Sequence, residues 1–261
     1  MNTLFAIGVG AYAATTIAYL ASLWTARPVA AQLAVWLLRA TLLYQAALIG
    51  WWAFESGFTG GTRMWLSVSA FSLGAVYLML QRHYPITALG SFVTALATVL
   101  AHFALIAAHP YHELVTGPVA AWILRVHIGL AFIGVTGFAF ATAVSLVYLI
   151  QARMLKQKAH STLRRRLPPL DVLDRLSLRS IIIGFPFYTI ALLLGSAQAV
   201  RQDTFEIKLA YIFAAISWLI YGAVLQARLT AGWRGNRAAI LTAVGLVATM
   251  LVVAQYSLGA V

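Results

Sequence analysis

An all-α fold, a polytopic bundle of eight transmembrane helices, is what this sequence predicts, and three observations predict it. Eight long apolar runs occupy most of the 261 residues, at about 2–24, 31–54, 64–81, 86–108, 118–152, 180–200, 208–227 and 237–259. Only 9% of residues are charged against 62% hydrophobic, with a mean hydropathy of +0.87. A soluble domain carries roughly 25% charged residues, so this surface faces lipid. Lys and Arg also segregate between alternate connections, which gives the bundle two chemically different ends.

Each run reaches the roughly 20 residues that a spanning helix needs. In hydrocarbon every backbone group must be satisfied within its own segment, which leaves helices as the form these runs take. The chain 1–261 is expected to be one transmembrane domain. The fifth run is too long for one crossing, so its last turns are expected to project into water as far as about Leu155.

One set of connections holds thirteen basic residues: Arg27, Arg82, Arg153, Lys156, Lys158, Arg164, Arg165, Arg166, Arg175, Arg179, Arg228, Arg234 and Arg237. The opposite set holds three, Arg63, Arg201 and Lys208. This asymmetry makes the first set cytoplasmic and puts both termini on the outer side. It also accounts for the formal net charge of +12, so nucleic acid is not the expected partner. Met1-Asn2-Thr3 supplies no positive n-region, which argues against a cleaved signal peptide. Cysteine is absent, which removes disulfides, thiolate metal sites and thiol relays.

The longest cytoplasmic connection, about 153–179, pairs a basic run at 156–166 with a patterned segment. The basic run suits anionic headgroups. After Pro168-Pro169, Leu170, Leu173, Leu176 and Ser177 share one helical face, and Asp171 and Arg175 form an i,i+4 pair on another. That pattern predicts a short interfacial helix leading into helix 6. On the outer side, Asp203 and Glu206 have the spacing of a capping box. Trp51, Trp52, Trp65, Tyr111 and Trp122 collect near the outer boundary, as an aromatic belt does, or as a platform for a planar apolar ligand would. No internal repeat or low-complexity stretch is visible.

Ionisable residues at membrane depth are costly and are functional candidates by default. They are Arg39, His102, Arg125 and His127, with Glu55 at an outer helix end. No Asp or Glu lies deep in any run, which counts against a proton- or cation-coupled carrier. Nothing has the spacing of a hydrolase or metalloprotease site, and no enzymatic activity is expected. His102 falls about 9 Å below the outer end of helix 4, and His127 about 12 Å below the start of helix 5. Two imidazoles at one depth on consecutive antiparallel helices can serve as axial ligands to haem iron, with Arg125 on a propionate. Each can equally be a buried histidine bonded to a carbonyl of a neighbouring helix. His109 and His112 read as loop residues, and His83 and His160 as solvated ones. Arg39 is expected to snorkel or to bond a neighbouring helix's carbonyls, with an inner-side ligand site as the alternative.

The second half resembles a known family, the cytochrome c assembly proteins of the CcsA, CcmC and HemX type. Three stretches carry the likeness. They are Arg125-Val126-His127-Ile128 with Val147-Tyr148-Leu149; Leu167-Pro168, Leu173-Asp174, Leu176, Gly184-Phe185, Thr189 and Gly195; and Trp218-Leu219-Ile220-Tyr221, Arg228 and Gly232-Trp233-Arg234-Gly235-Asn236-Arg237. The resemblance implies haem b as cofactor, His127 as a ligand, and presentation of haem at the outer face of a bacterial inner membrane. Apocytochrome c or other assembly proteins would be the partners. Two departures stand out. The family's outer loop of the form WGxxWxWD is replaced by residues 200–206, which hold no tryptophan, and the second outer histidine has no counterpart in Gln255-Tyr256-Ser257-Leu258-Gly259-Ala260-Val261. The chain is therefore similar to the short YpjD-like branch.

The leading expectation is a haem-binding accessory of cytochrome c assembly or haem delivery, with cofactor contacts at His127, His102, Arg125, Trp122, Trp51 and Trp52. His102 and His127 would be the ligands of the iron. The alternative is a haem-independent regulator or scaffold of the HemX kind, docking a cytoplasmic enzyme through the basic loop. A transport component ranks below both.

Overall fold

The computed structural model describes residues 2–25, 28–56, 61–84, 86–107, 118–158, 167–201 and 208–258. Among them are eight long helices and no strand. They are α1 (Asn2–Thr25), α2 (Pro28–Ser56), α3 (Thr62–Gln81), α4 (Gly90–Ile106), α5 (Pro118–Lys156), α6 (Leu170–Arg201), α7 (Leu209–Thr230) and α8 (Asn236–Ser257). A 3₁₀ turn, Thr87–Leu89, leads into α4. All eight are long and apolar enough to cross a membrane. Successive helices run antiparallel, so one end of the bundle carries Asn2 and Ser257. The other, the basic end, carries Arg82, Arg153, Lys156, Arg175, Arg228 and Arg234.

The helices form two neighbourhoods. In the first, α1 packs on α4 and α2, and α3 packs on α4. Tyr12, Tyr19, Leu38, Leu66, Leu73 and Tyr77 fill its interior. Threonines tie the helices where lipid offers no hydrogen bond: Thr15 Oγ1 lies 3.1 Å from Thr41 Oγ1, and Thr16 donates to Thr94 at 3.0 Å. Arg63 closes this neighbourhood at the termini end. Its guanidinium donates to the Ala107 carbonyl at 2.8 Å and to Asn2 Oδ1 at 3.0 Å, and lies 5.3 Å from the Phe5 ring. A cation there also complements the negative end of α4. From the sequence Arg63 was only a loop charge.

In the second neighbourhood α5 and α6 form the most extensive pairing of the molecule, and α7 and α8 pack together beside them. At 39 and 32 residues, α5 and α6 are about 58 and 48 Å long, well beyond a hydrocarbon core of about 30 Å. They meet through glycines. A Cβ on Gly134 would stand 2.7 Å from Tyr188 Cβ, and one on Gly137 3.0 Å from the Ser180 carbonyl oxygen. Backbones approach this closely only where side chains are missing. Phe138 fills the next layer, stacked on Tyr221 with ring centroids 3.6 Å apart and edge-on to Tyr188 at 5.2 Å. Further along, Ser145 and Ser177 share a hydrogen bond of 3.0 Å.

The segment after Pro168-Pro169 differs from expectation. It is not a separate interfacial helix but the first turns of α6 itself. No Gly or Pro interrupts residues 170–183, and Leu173, Leu176 and Ser177 are buried against the bundle, so the helix has reason to continue. The expected Asp171–Arg175 pair is present at 2.5 Å on the exposed face. One turn on, Asp174 pairs instead with Arg228 of α7 at 3.1 Å, in a nearly solvent-free setting. Beyond α7, Gly232 (φ 62°) and Gly235 (φ 83°) take left-handed conformations, and Gly232 lets the Trp233 N–H reach back to the Ala227 carbonyl at 3.0 Å. A Cβ at Gly235 would lie 3.2 Å from the Tyr148 hydroxyl.

Asp203 and Glu206 lie outside the described residues, and the N-cap of α7 is Lys208. Outside them too are His109, Tyr111, His112, His160 and the run Arg164, Arg165 and Arg166. The glycine contact gives a direct test of the α5–α6 pairing. Replacement Gly134→Ala should lower resistance to denaturant-induced unfolding in mixed micelles by about 1–3 kcal/mol. Gly50→Ala, where a Cβ meets open space, should leave it unchanged or raise it. Equal effects from the two substitutions would refute the packing described.

Candidate functional site

The glycine crossing determines where His127 goes. About two turns along α5 from Gly134 towards the termini end, α6 again presents small residues, Ala191 and Gly195, four apart on one face. The imidazole of His127 enters that gap. Its Nδ1 lies 2.6 Å from the Ala191 carbonyl oxygen, and a Cβ on Gly195 would stand 2.6 Å from its Cε1. A carbonyl only accepts, so Nδ1 carries the proton. Neutral imidazole has a single ring N–H, which leaves the Nε2 lone pair available. This is the arrangement of a metal-ligating histidine, whose distal nitrogen is normally held by a carbonyl or carboxylate. It is also the bond a purely structural histidine would make. On α3, the Trp65 ring approaches Gly129, two residues along from His127, where a Cβ would lie 3.5 Å from it.

The other expected contacts are dispersed. His102 is exposed on α4, whose buried face is made by Thr94, Ala97, Leu100, Ala101 and Ala104. Among the described residues no hydrogen bond joins it to His127, which turns towards α6. Arg125 is exposed and two residues from His127, about 200° round the helix, so the two side chains leave α5 on opposite sides. Trp122, 65% exposed, shares Arg125's face at i,i+3. Trp51 and Trp52 close α2, which packs on α1 and α3. Trp51 is 46% exposed, and Trp52 stands edge-on to Phe5 at 5.4 Å. The structure therefore groups Trp122 with Arg125 and Trp52 with Phe5, and sets His127 apart with Ala191 and Gly195. Among the described residues no cluster of three or more His, Asp or Glu could hold a bare metal ion.

Ala191 was not among the residues the sequence singled out. Gly195 was, and its spacing from Ala191 was the signal available. Neighbouring residues of the same stretches make the α6–α7 contact: Trp218 donates to Thr189 at 2.9 Å and stacks on Phe185 at 5.9 Å, and Tyr188 bonds Ser217 at 2.8 Å.

Eight apolar antiparallel helices define a multi-pass membrane protein. Comparison with known proteins gives its kind. The chain belongs to the cytochrome c assembly protein family, which matches residues 62–257. Among its curated relatives, the cytochrome c biogenesis protein CcsA of Gloeothece citriformis is 39% identical over 85 residues, 32% of this chain and 26% of the relative. That of Crocosphaera subtropica is 34% identical over 101 residues, 38% of this chain and 30% of the relative. That of Synechococcus elongatus is 40% identical over 77 residues, 29% and 24% respectively. The chain thus spans less than a third of the length of these relatives. No solved structure matches it.

The contact between His127 and Gly195 can be tested by a cycle. Gly195→Ala alone should cost about 1–3 kcal/mol, because the new methyl overlaps the ring. In the His127→Ala background the same substitution should cost little, since the obstructing ring is gone. An undiminished cost there would place the ring elsewhere.

Proposed function

We propose that this chain is a haem-binding accessory of cytochrome c assembly in a bacterial inner membrane, with both termini on the periplasmic side and His127 as an axial ligand. The observation that supports it most is the Nδ1–H bond of His127 to the Ala191 carbonyl, which leaves Nε2 unprotonated in the neutral ring. Family membership and the CcsA relatives support the process, and the Lys/Arg asymmetry supports the orientation.

When bound, haem b supplies a redox-active iron and is itself the group to be handed on. The protein's part is to hold and orient it. The carbonyl of Ala191 fixes the tautomer of His127, Gly195 admits the ring, and the helix pair behind it keeps the ring from swinging. Apolar walls exclude water, which favours retention of an uncharged ligand imidazole. His102 is the candidate for the second axial position, reached from the exposed face of α4. Arg125 and Trp122 offer a cation and a flat ring on the opposite, exposed face of α5, a place for an assembly partner. Trp51 and Trp52 offer a second aromatic surface at the same end.

The experiment is an absorption spectrum of the detergent-purified protein, oxidised and dithionite-reduced, with pyridine haemochrome quantitation, from cells supplied with a haem precursor. The expected result is a Soret band and sharp reduced α and β bands at about one haem per chain. His127→Ala should lower haem content by about tenfold or more, in the range seen when a metal's coordination is disturbed. His102→Ala should change the spectral form rather than abolish binding. A full haem complement in the His102→Ala, His127→Ala double variant would refute the assignment. No Soret band after haem titration would favour a haem-independent scaffold acting through the basic loop.

A further inference from the structure

Arg39 has no counterpart in the haem proposal, and among the described residues it makes no ion pair. It lies eleven residues into α2, partly buried, with its Cζ 4.6 Å from the centre of the Trp36 ring. Two hollows of about 480 and 160 Å³ share Arg39, Val35 and Gln81 in their walls. The smaller extends to Arg82 at the end of α3, the larger to Gln32 and Trp36.

The polar groups at this groove are mainly donors. Arg39 and Arg82 have no acceptor atoms in their side chains. Gln81 accepts at Oε1 from the Tyr19 hydroxyl at 3.4 Å, and its NH₂ is a further donor. Tyr19 is held in turn by Tyr77, edge-on at 5.7 Å, whose hydroxyl donates to the Thr87 carbonyl at 3.2 Å. Among the described residues no carboxylate answers these donors. The sequence has none between residues 1 and 54 or between 56 and 112, and Glu55 closes α2 at the opposite end. Asp171 and Asp174 are committed to Arg175 and Arg228.

A cation at membrane depth needs a counter-charge, and no described carboxylate supplies it here. The position identifies its source. The groove lies level with the last turn of α3, at the basic end of the bundle, while α2 continues beyond it and borders one side. Next to it, Leu33, Leu43 and Met79 are exposed apolar side chains on the lipid face. A headgroup phosphate over Arg39, with acyl chains along these residues, satisfies both the charge and the apolar surface. We infer that the groove between α2 and α3 is a binding site for an anionic phospholipid headgroup in the leaflet at the basic end.

Native mass spectrometry of the full chain, titrated in detergent with phosphatidylglycerol or phosphatidylcholine, tests this. Phosphatidylglycerol should be retained in preference to phosphatidylcholine, and excess inorganic phosphate should not displace it. Arg39→Gln should weaken phosphatidylglycerol retention about fivefold, as expected for loss of one basic contact near the membrane surface. Gln81→Leu should weaken it by a smaller factor, and Arg175→Gln, an exposed cation at the same end, should leave it unchanged. Equal retention of the two lipids would overturn the site, as would wild-type retention in both groove variants. Displacement by inorganic phosphate would show a site for free anions and overturn the lipid assignment. If Arg39→Gln does not give monodisperse protein, the wild-type lipid preference, the phosphate competition and Gln81→Leu decide the matter.

Discussion

The backbone-to-backbone meeting of α5 and α6 is the constraint from which the functional half of this protein follows. Gly134 and Gly137 on one helix and Gly184 on the other leave no space for a Cβ between them. In lipid, where apolar side chains gain little by leaving their surroundings, such close approach is a main source of helix association. It sets the separation of the two longest helices, and the side chains on either side of the crossing inherit it. Towards the basic end the gap suits two serines in hydrogen-bond contact. Towards the termini end it suits one imidazole between Ala191 and Gly195. Phe138, beside the crossing, carries the same register outward to Tyr188 and Tyr221.

The stretches that carry the family likeness divide into two tasks in space. Those near the middle and termini end, around His127, Gly184, Thr189, Gly195 and Trp218, hold α5, α6 and α7 together round the histidine. Those at the basic end, Tyr148, Asp174, Arg228 and the Gly232–Gly235 turn, form a latch. Arg228 holds both the carboxylate of Asp174 and, at 3.2 Å, its backbone carbonyl, which joins the start of α6 to the end of α7. A pair this buried is costly to separate, because either charge alone would be stranded. The family match covers residues 62–257, from α3 to α8.

Hydropathy made the eight helices legible because each had to satisfy its own backbone in lipid, and their ends agree with expectation to within a few residues in most cases. The start of α6 did not read correctly. Its first turns are amphipathic and charged, which resembles a helix lying at an interface, and only the buried contacts of Leu173, Leu176 and Asp174 show that the axis continues. The depth of His127 was legible from counting. Its direction was not, since rotation about α5 is set by the glycine crossing and not by the histidine's own neighbours in sequence. The same applies to Arg125: two residues along a helix means opposite sides, so proximity in sequence did not mean a shared site. Arg63 read as a loop charge and Arg39 as a cation at membrane depth; the first caps α4, and the second makes no ion pair among the described residues.

The central claim is that the α5–α6 seam presets the tautomer of His127 so that Nδ1 carries the proton and Nε2 keeps its lone pair. Nitrogen-15 NMR of histidine-labelled protein in lipid nanodiscs, without added haem and with His127 assigned by comparison with His127→Ala, measures this directly. The account predicts a protonated, pyrrole-type Nδ1 and an unprotonated, pyridine-type Nε2 at neutral pH. A proton on Nε2 with a bare Nδ1, or rapid exchange between the two tautomers, would contradict it.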